Sequence, residues 1–278
     1  MLTQEDVARK VQNLPSLPAV VCELLACMDQ EGLDMQVLAG KLALDQSLSA
    51  KTLRLANSSF YGMPSRVTTI QQAVAVLGMH NIRTLVTACS VTGSFQAVAG
   101  SSFDMAAFWR HSVATASCAR ALARHLRQNP DTAFIAGLLH DLGTLVLATR
   151  YPNEFELAEA HRVQHDCYQQ EAEQALFGFD HAGVGGALAA HWQFPQQIQY
   201  AVASHHKPQE LDAPSLAMTI HLANTFAHGL DLSGRDDDLA PPVAEQVWRA
   251  AALSKTACLE VFGESERTFH DLCQILVN

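Results

Sequence analysis

Gly137-Leu138-Leu139-His140-Asp141-Leu142-Gly143 is the stretch that decides how this chain is read. An apolar run from Phe134 to Leu139 leads into an adjacent imidazole and carboxylate, and a glycine follows two residues later. Both polar side chains are therefore expected to emerge where a helix ends. Such a doublet brings two ligands of different charge into one small volume, and other helices must supply the rest of a metal site.

Further histidines suit that role. On a helix over 104–128, Phe108, His111, Thr115, Cys118 and Leu122 share one face, which puts His111 on the buried stripe. His181 has Val184 and Leu188 at the inward spacing, and His205-His206 end another apolar helix. Burying these imidazoles and Asp141 one by one is expensive, because each polar group needs a partner. Gathering them around a cation, or into one hydrogen-bond network, removes that cost. His80, His125, His161, His165, His228 and His270 read as solvated or helix-end residues, and His191 as a helix-surface residue beside Trp192. His221 is left open.

The surrounding pattern is helical almost throughout, and no segment alternates in the way a strand does. Residues 16–28 place Leu17, Val20, Val21, Leu24, Leu25 and Met28 on one helical face. Asp34 and Asp45 suit the starts of the next two helices, and Asn57–Pro64 reads as a loop whose aromatics fold back as a lid. Thr69 can cap a helix that stops at Gly78, and Asn81 opens another towards Phe95. Later helices are expected near 132–149, 167–177, 181–192, 196–204 and 214–229. Two or three more follow, near 243–253, 254–262 and 265–277. The expected fold class is all-α, with an N-terminal helical bundle (1–100) packed on a larger helical block (101–230) and followed by accessory helices (231–278).

Charge is uneven. Residues 1–100 carry 7 Lys+Arg and 7 Asp+Glu, so the net charge of −10 resides in 101–278. An acidic surface repels phosphate backbones, and Lys51 and Arg54 are a thin basic contribution to any helix-turn-helix reading of Leu42–Leu55; no nucleic-acid partner is expected. No apolar run reaches the roughly eighteen residues of a membrane span, so no membrane partner is expected either. The first residues, MLTQEDVARK, do not resemble a secretory signal, and the seven cysteines lack a Cys-x-x-Cys pair. That usage predicts reduced thiols and a cytoplasmic protein.

Several fragments together resemble the HDOD family, a branch of the HD superfamily of metal-dependent phosphohydrolases. They are Leu14-Pro15-Ser16-Leu17-Pro18, Leu44-Asp45-Gln46-Ser47-Leu48, Leu53-Arg54-Leu55-Ala56-Asn57-Ser58, Tyr61-Gly62, Ile70-Gln71-Gln72-Ala73 and Leu77-Gly78. Phe177-Gly178-Phe179-Asp180-His181, Trp192-Gln193-Phe194-Pro195 and His205-His206-Lys207-Pro208 extend the likeness, which covers roughly residues 10–230.

The resemblance implies a ligand set of His111, His140, Asp141 and a late acid that here reads Asn224. An expanded set, as in the related HD-GYP enzymes, adds His181, His205 and His206. Three departures weaken catalysis. Asn224 replaces a carboxylate with a neutral amide, and Thr144 stands where many HD hydrolases carry lysine. After His205-His206 the chain reads Lys-Pro-Gln-Glu, with no Gly-Tyr-Pro.

Imidazole-rich sites favour transition ions such as iron, nickel, zinc or manganese over magnesium. Asn224 shares a stripe with Leu216, Ile220, Ala223 and Ala227, so its amide is expected to point inward. There it suits a hydrogen-bond network with Asp141 and His111 as well as weak coordination. The expected function is a non-catalytic bacterial signal-transduction role that binds a protein partner or small ligand. The alternative is a metal-dependent phosphohydrolase.

Overall fold

The computed structural model describes residues 2–14, 16–17, 21, 35–44, 46–57, 66–95, 102–208, 214–234 and 239–276. Among them all regular structure is helical. The helix expected over 16–28 and the loop expected over 57–64 fall almost entirely outside the described residues, as do the proposed caps Asp34 and Asp45.

The N-terminal part comprises α1 (Gln4–Gln12), α2 (Met35–Ala43), α3 (Gln46–Ala56) and α4 (Ile70–Ser94). Thr69 accepts a bond from the Gln72 amide at 3.2 Å and so caps α4 as expected. Gly78 interrupts α4 with φ 72° and ψ 164°, so the two helices expected there meet across a kink. Glycine bears that left-handed φ without the Cβ penalty. Asn57 clamps the chain beyond α3, accepting from Val67 N (2.7 Å) and donating to Val67 O (2.8 Å).

The central helix is α5 (Met105–His125), whose N-terminal amides are satisfied by Asp104 through Ala107 N at 2.9 Å. Its middle is built from small residues, and it is buried almost all round, His111 included. Against it pack α6 (Pro130–Leu139), α12 (Leu216–Gly229) and α14 (Lys255–Leu276). Proline at the first turn and Asn129, which accepts from the Asp131 and Thr132 amides, start α6. Gly137 lets α6 close on α5, since a Cβ there would stand 2.8 Å from Ala116 Cα.

The helix expected over 132–149 is two helices. α6 ends at Leu139, and α7 (Leu142–Arg150) restarts after His140 and Asp141, with Asp141 in its N-cap position at φ −99°, ψ 19°. The doublet thus lies in the break itself. The following helix, α8 (Pro152–His165), was not anticipated from the sequence. Its polar and apolar residues are intermixed, and only Phe155, Ala158 and Arg162 are buried.

Next come α9 (Gln169–Phe177), α10 (His181–His191) and α11 (Gln196–Ser204). α13 (Glu245–Ala251) precedes α14, which is one 22-residue helix where two were expected. Buried residues from Leu2 to Val261 join one continuous apolar cluster, so all three segments share a core. Burying each large aliphatic side chain of such a core contributes about 1.5–3 kcal/mol. The stretch Pro130–Arg150 is long and apolar enough to cross a membrane, but 83% of its most apolar window is buried within the fold.

Candidate metal centre

Glycines draw the site together. A Cβ on Gly143 would stand 1.9 Å from the His181 carbonyl oxygen, so α7 and α10 meet backbone to backbone. On α10, Gly185 lies against Gly143 and Val202, and Gly186 lies against Ala203 of α11. The three helices that carry Asp141, His181 and His205 at their ends can therefore approach closely.

The outcome is a cluster around one carboxylate. Asp141 Oδ2 is 3.3 Å from His140 Nε2 and 3.8 Å from His111 Nε2. Its Oδ1 is 3.4 Å from His181 Nε2 and 3.5 Å from His205 Nε2. His206 Nε2 lies 2.8 Å from His181 Nε2, and His111 Nε2 lies 3.3 Å from His140 Nε2. Two groups of potential metal ligands result, His111–His140–Asp141 and His181–His205–His206, each with its donor atoms within 4.8 Å of one another. Six of the seven side chains singled out from the sequence come together in these two groups. Asn224 lines the same pocket as His111 and Asp141.

Ring orientations are fixed from behind. His140 Nδ1 lies 2.8 Å from the Gly137 carbonyl, and His205 Nδ1 lies 2.8 Å from the Val202 carbonyl. Each Nδ1 must therefore carry the proton, which leaves a lone pair on each Nε2 in the neutral ring. Those lone pairs face the Asp141 carboxylate, acceptor against acceptor. Only a proton or a cation between them removes that conflict. His205 Nε2 and Asn224 Oδ1 are buried and have no hydrogen-bond partner among the described residues. The expected hydrogen-bond network through the Asn224 oxygen is thus not formed. The donor set fits a transition-metal ion: imidazole nitrogens oriented by outer hydrogen bonds, one shared carboxylate, and a neutral amide oxygen.

Electrostatics follow the packing. Burial opposes ionisation of Asp141, but the imidazoles of His140, His181 and His205 outweigh it and hold the carboxyl well below its usual range. Burial pulls His181 down, yet Glu173 and Asp141 overcome that and push it well above the usual imidazole value. Desolvation and neighbouring imidazoles lower His205 and His206.

Two participants, Glu173 and His228, were missed from the sequence, and a third, His221, was left open. Glu173 on α9 is fully buried and takes both the ring Nδ1 and the backbone N of His181 on its Oε2, each at 2.7 Å. His228 is not simply solvated: it lines the pocket and stacks on His111, with ring centroids 4.3 Å apart. Its i+4 spacing from Asn224 on a helix was the available signal. His221 donates from Nδ1 to the His205 carbonyl (2.8 Å) and accepts from Ala244 N (3.2 Å), so it is a structural bridge. His191, expected on a surface, is half-buried and lies 3.2 Å from the Leu14 carbonyl.

A cavity of about 140 Å³ opens onto the cluster. Phe103, Phe108, Phe155 and Tyr168 form part of its wall, with Arg162 paired to Glu159 at 3.1 Å.

Comparison with known proteins agrees with this architecture. The family model for the HDOD domain matches residues 14–208. A candidate phosphohydrolase from Shewanella amazonensis SB2B is 30% identical, with 97% of each chain covered and a TM-score of 0.75. A candidate signal transduction protein from Marinobacter aquaeolei VT8 is 24% identical over all of this chain and 62% of its own, with a TM-score of 0.79. A Treponema pallidum (strain Nichols) protein is 23% identical over 232 residues; the match takes in 81% of this chain but only 44% of that relative.

Proposed function

The chain belongs to the HDOD family, and we propose that it is a bacterial signal-transduction module whose HD site binds a transition metal and, through the adjoining pocket, a small ligand, without turning it over. The observation that supports metal binding is the pair of backbone-locked imidazoles, His140 and His205, whose Nε2 lone pairs both face Asp141. His111, His181, His206 and Asn224 would complete the ligand sphere. In a metal site of this kind the ion acts as a Lewis acid and activates water.

The non-catalytic part rests on the charge of the site. Among the described residues Asp141 is the single carboxylate of its direct donors, Asn224 is neutral, and Thr144 lines the pocket without a charge. The cavity is of the order of one that holds benzene, roughly 150 Å³, which suits a compact ligand. In this reading residues 1–100 form the N-terminal part of the module, 101–230 carry the site and 231–278 are accessory helices. A cytoplasmic setting and a signalling protein as partner belong to the same proposal.

A second reading, metal-dependent phosphoester hydrolysis, is favoured by one observation: all six potential ligands of both groups are in place and the pocket opens onto them. The two readings separate in one set of measurements. Untagged protein is expected to retain iron, nickel, zinc or manganese, and Asp141→Ala to lose it. Phosphomonoesters and phosphodiesters are expected to survive incubation with the metal-loaded protein. Turnover that disappears in His140→Ala and Asp141→Ala would replace the first reading with the second.

A further inference from the structure

The two halves of the cluster are not electrostatically equal, and Glu173 makes the difference. Among the described residues Glu173 is the one acidic side chain with no exposed surface in the core, and it stands directly behind His181. Its Oε2 receives both donors of His181, at 2.7 Å each, and its Oε1 receives Gln169 Nε2 at 3.2 Å. Three donors therefore fix the carboxylate, and the carboxylate fixes the His181 ring. A buried carboxylate is costly to keep unless it is paired and hydrogen-bonded. Behind a metal ligand such a group raises the basicity of the imidazole and holds its Nε2 towards the ion.

Among the described residues no second buried carboxylate is hydrogen-bonded behind His140 at the other end. His140 is held by a neutral carbonyl, from Gly137. Asn224, where a second carboxylate would close that half, offers a buried amide oxygen with no partner among the described residues. Asp141 is shared between both halves, with Oδ2 towards His111 and His140 and Oδ1 towards His181 and His205. Among the described residues the His111 end thus has Asp141 as its one carboxylate. The His181 end carries the same shared charge and a second one a single hydrogen bond away.

We infer that Glu173 is a positioning residue that makes the His181–His205–His206 end, with Asp141, the place where this chain holds one tightly bound cation, while Asn224 leaves the His111–His140 end weak. The inference rests on the metal-binding reading above. Within it, the substitution at Asn224 removes one metal position and leaves the other intact.

Zinc titration of untagged, chelator-treated full-length chain tests it, with stoichiometry read by elemental analysis and affinity by calorimetry. Wild type is expected to hold one tight ion per chain. Glu173→Gln is expected to weaken that ion about 10–100-fold. His206→Ala is expected to weaken it as well, and by more than His111→Ala does. Asn224→Asp is expected to raise the count from one to two, a gain that no loss of packing produces. That variant keeps the test decisive if Glu173→Gln does not fold. Two tight ions in wild type, or one ion lost in His111→Ala and unaffected by Glu173→Gln, would overturn the inference and leave the metal-binding reading standing. No tight ion in wild type would remove both.

Discussion

Gly143 and His181 approach so closely that a Cβ on the glycine would stand 1.9 Å from the histidine's carbonyl oxygen. The glycine that follows the His-Asp doublet therefore has a packing role. It brings the start of α7 against the start of α10, and so brings His181 Nε2 to 3.4 Å from Asp141. Gly143→Ala should force backbone apart at the centre of the molecule. Overpacking usually costs about 1–3 kcal/mol, and a clash with backbone lies at or beyond the top of that range. Chemical denaturation should show the loss, together with weaker metal retention. A variant as stable as wild type would mean that the two helices do not meet in this way.

His221 joins the site to the C-terminal helices. It donates to the His205 carbonyl and accepts from the amide of Ala244, which precedes α13. His221→Phe leaves both backbone groups without that partner, at about 1–3 kcal/mol for each one that stays buried. Faster amide exchange over Glu245–Ala251 is the expected result. Burial holds His221 below its usual value, against the opposing pull of the His205 carbonyl. The unfolded chain therefore takes up a proton first as pH falls. The stability that neutral His221 contributes is complete above about pH 6.5 and is lost as pH drops through its depressed folded value. Protection over the same segment, corrected for the slower intrinsic exchange in acid, should fall as pH drops in wild type and respond less in the variant.

Cys118 lies fully buried on α5, and burial pushes its thiol up to about 12, with Ser265 of α14 partly offsetting the shift. Its thiolate is essentially absent at pH 8. Iodoacetamide should leave Cys118 unmodified in the folded protein and label it after denaturation, as mass spectrometry of the tryptic peptide can establish. The sign of the linked pH effect follows: an unfolded thiol ionises near 9, so stability declines as pH rises from about 9 towards 12. Rapid labelling in the native state would show that α5 and α14 separate readily.

Much of this was legible in the residue order. Apolar stripes at helical spacing gave α5, α10 and α12, and local chemistry gave the start of α4 at Thr69 and its interruption at Gly78. Each depends on neighbours a few positions away, which is the range over which a sequence carries a readable period. α8 escaped notice because its apolar and polar residues do not form one clean face. The helix drawn over 132–149 was too long because an apolar run continues through both sides of the doublet, and periodicity does not register a break two residues wide.

For the site, the residue order determined which side chains were candidates, since buried imidazoles and a buried carboxylate need one another. Only the tertiary structure decided how they divide the work. Asp141 turns one oxygen to His111 and His140 and the other to His181 and His205, residues up to 94 positions apart between His111 and His205. Glu173 and His228 enter through packing across helices, and Asn224 gains its meaning from the absence of a hydrogen-bond donor to its buried oxygen among the described residues. Such distances are set by how closely helices pack at Gly143, Gly185 and Gly186. Helix formation is governed by local spacing, but the direction in which an imidazole points is settled by the close packing of whole helices, and that has no period along the chain.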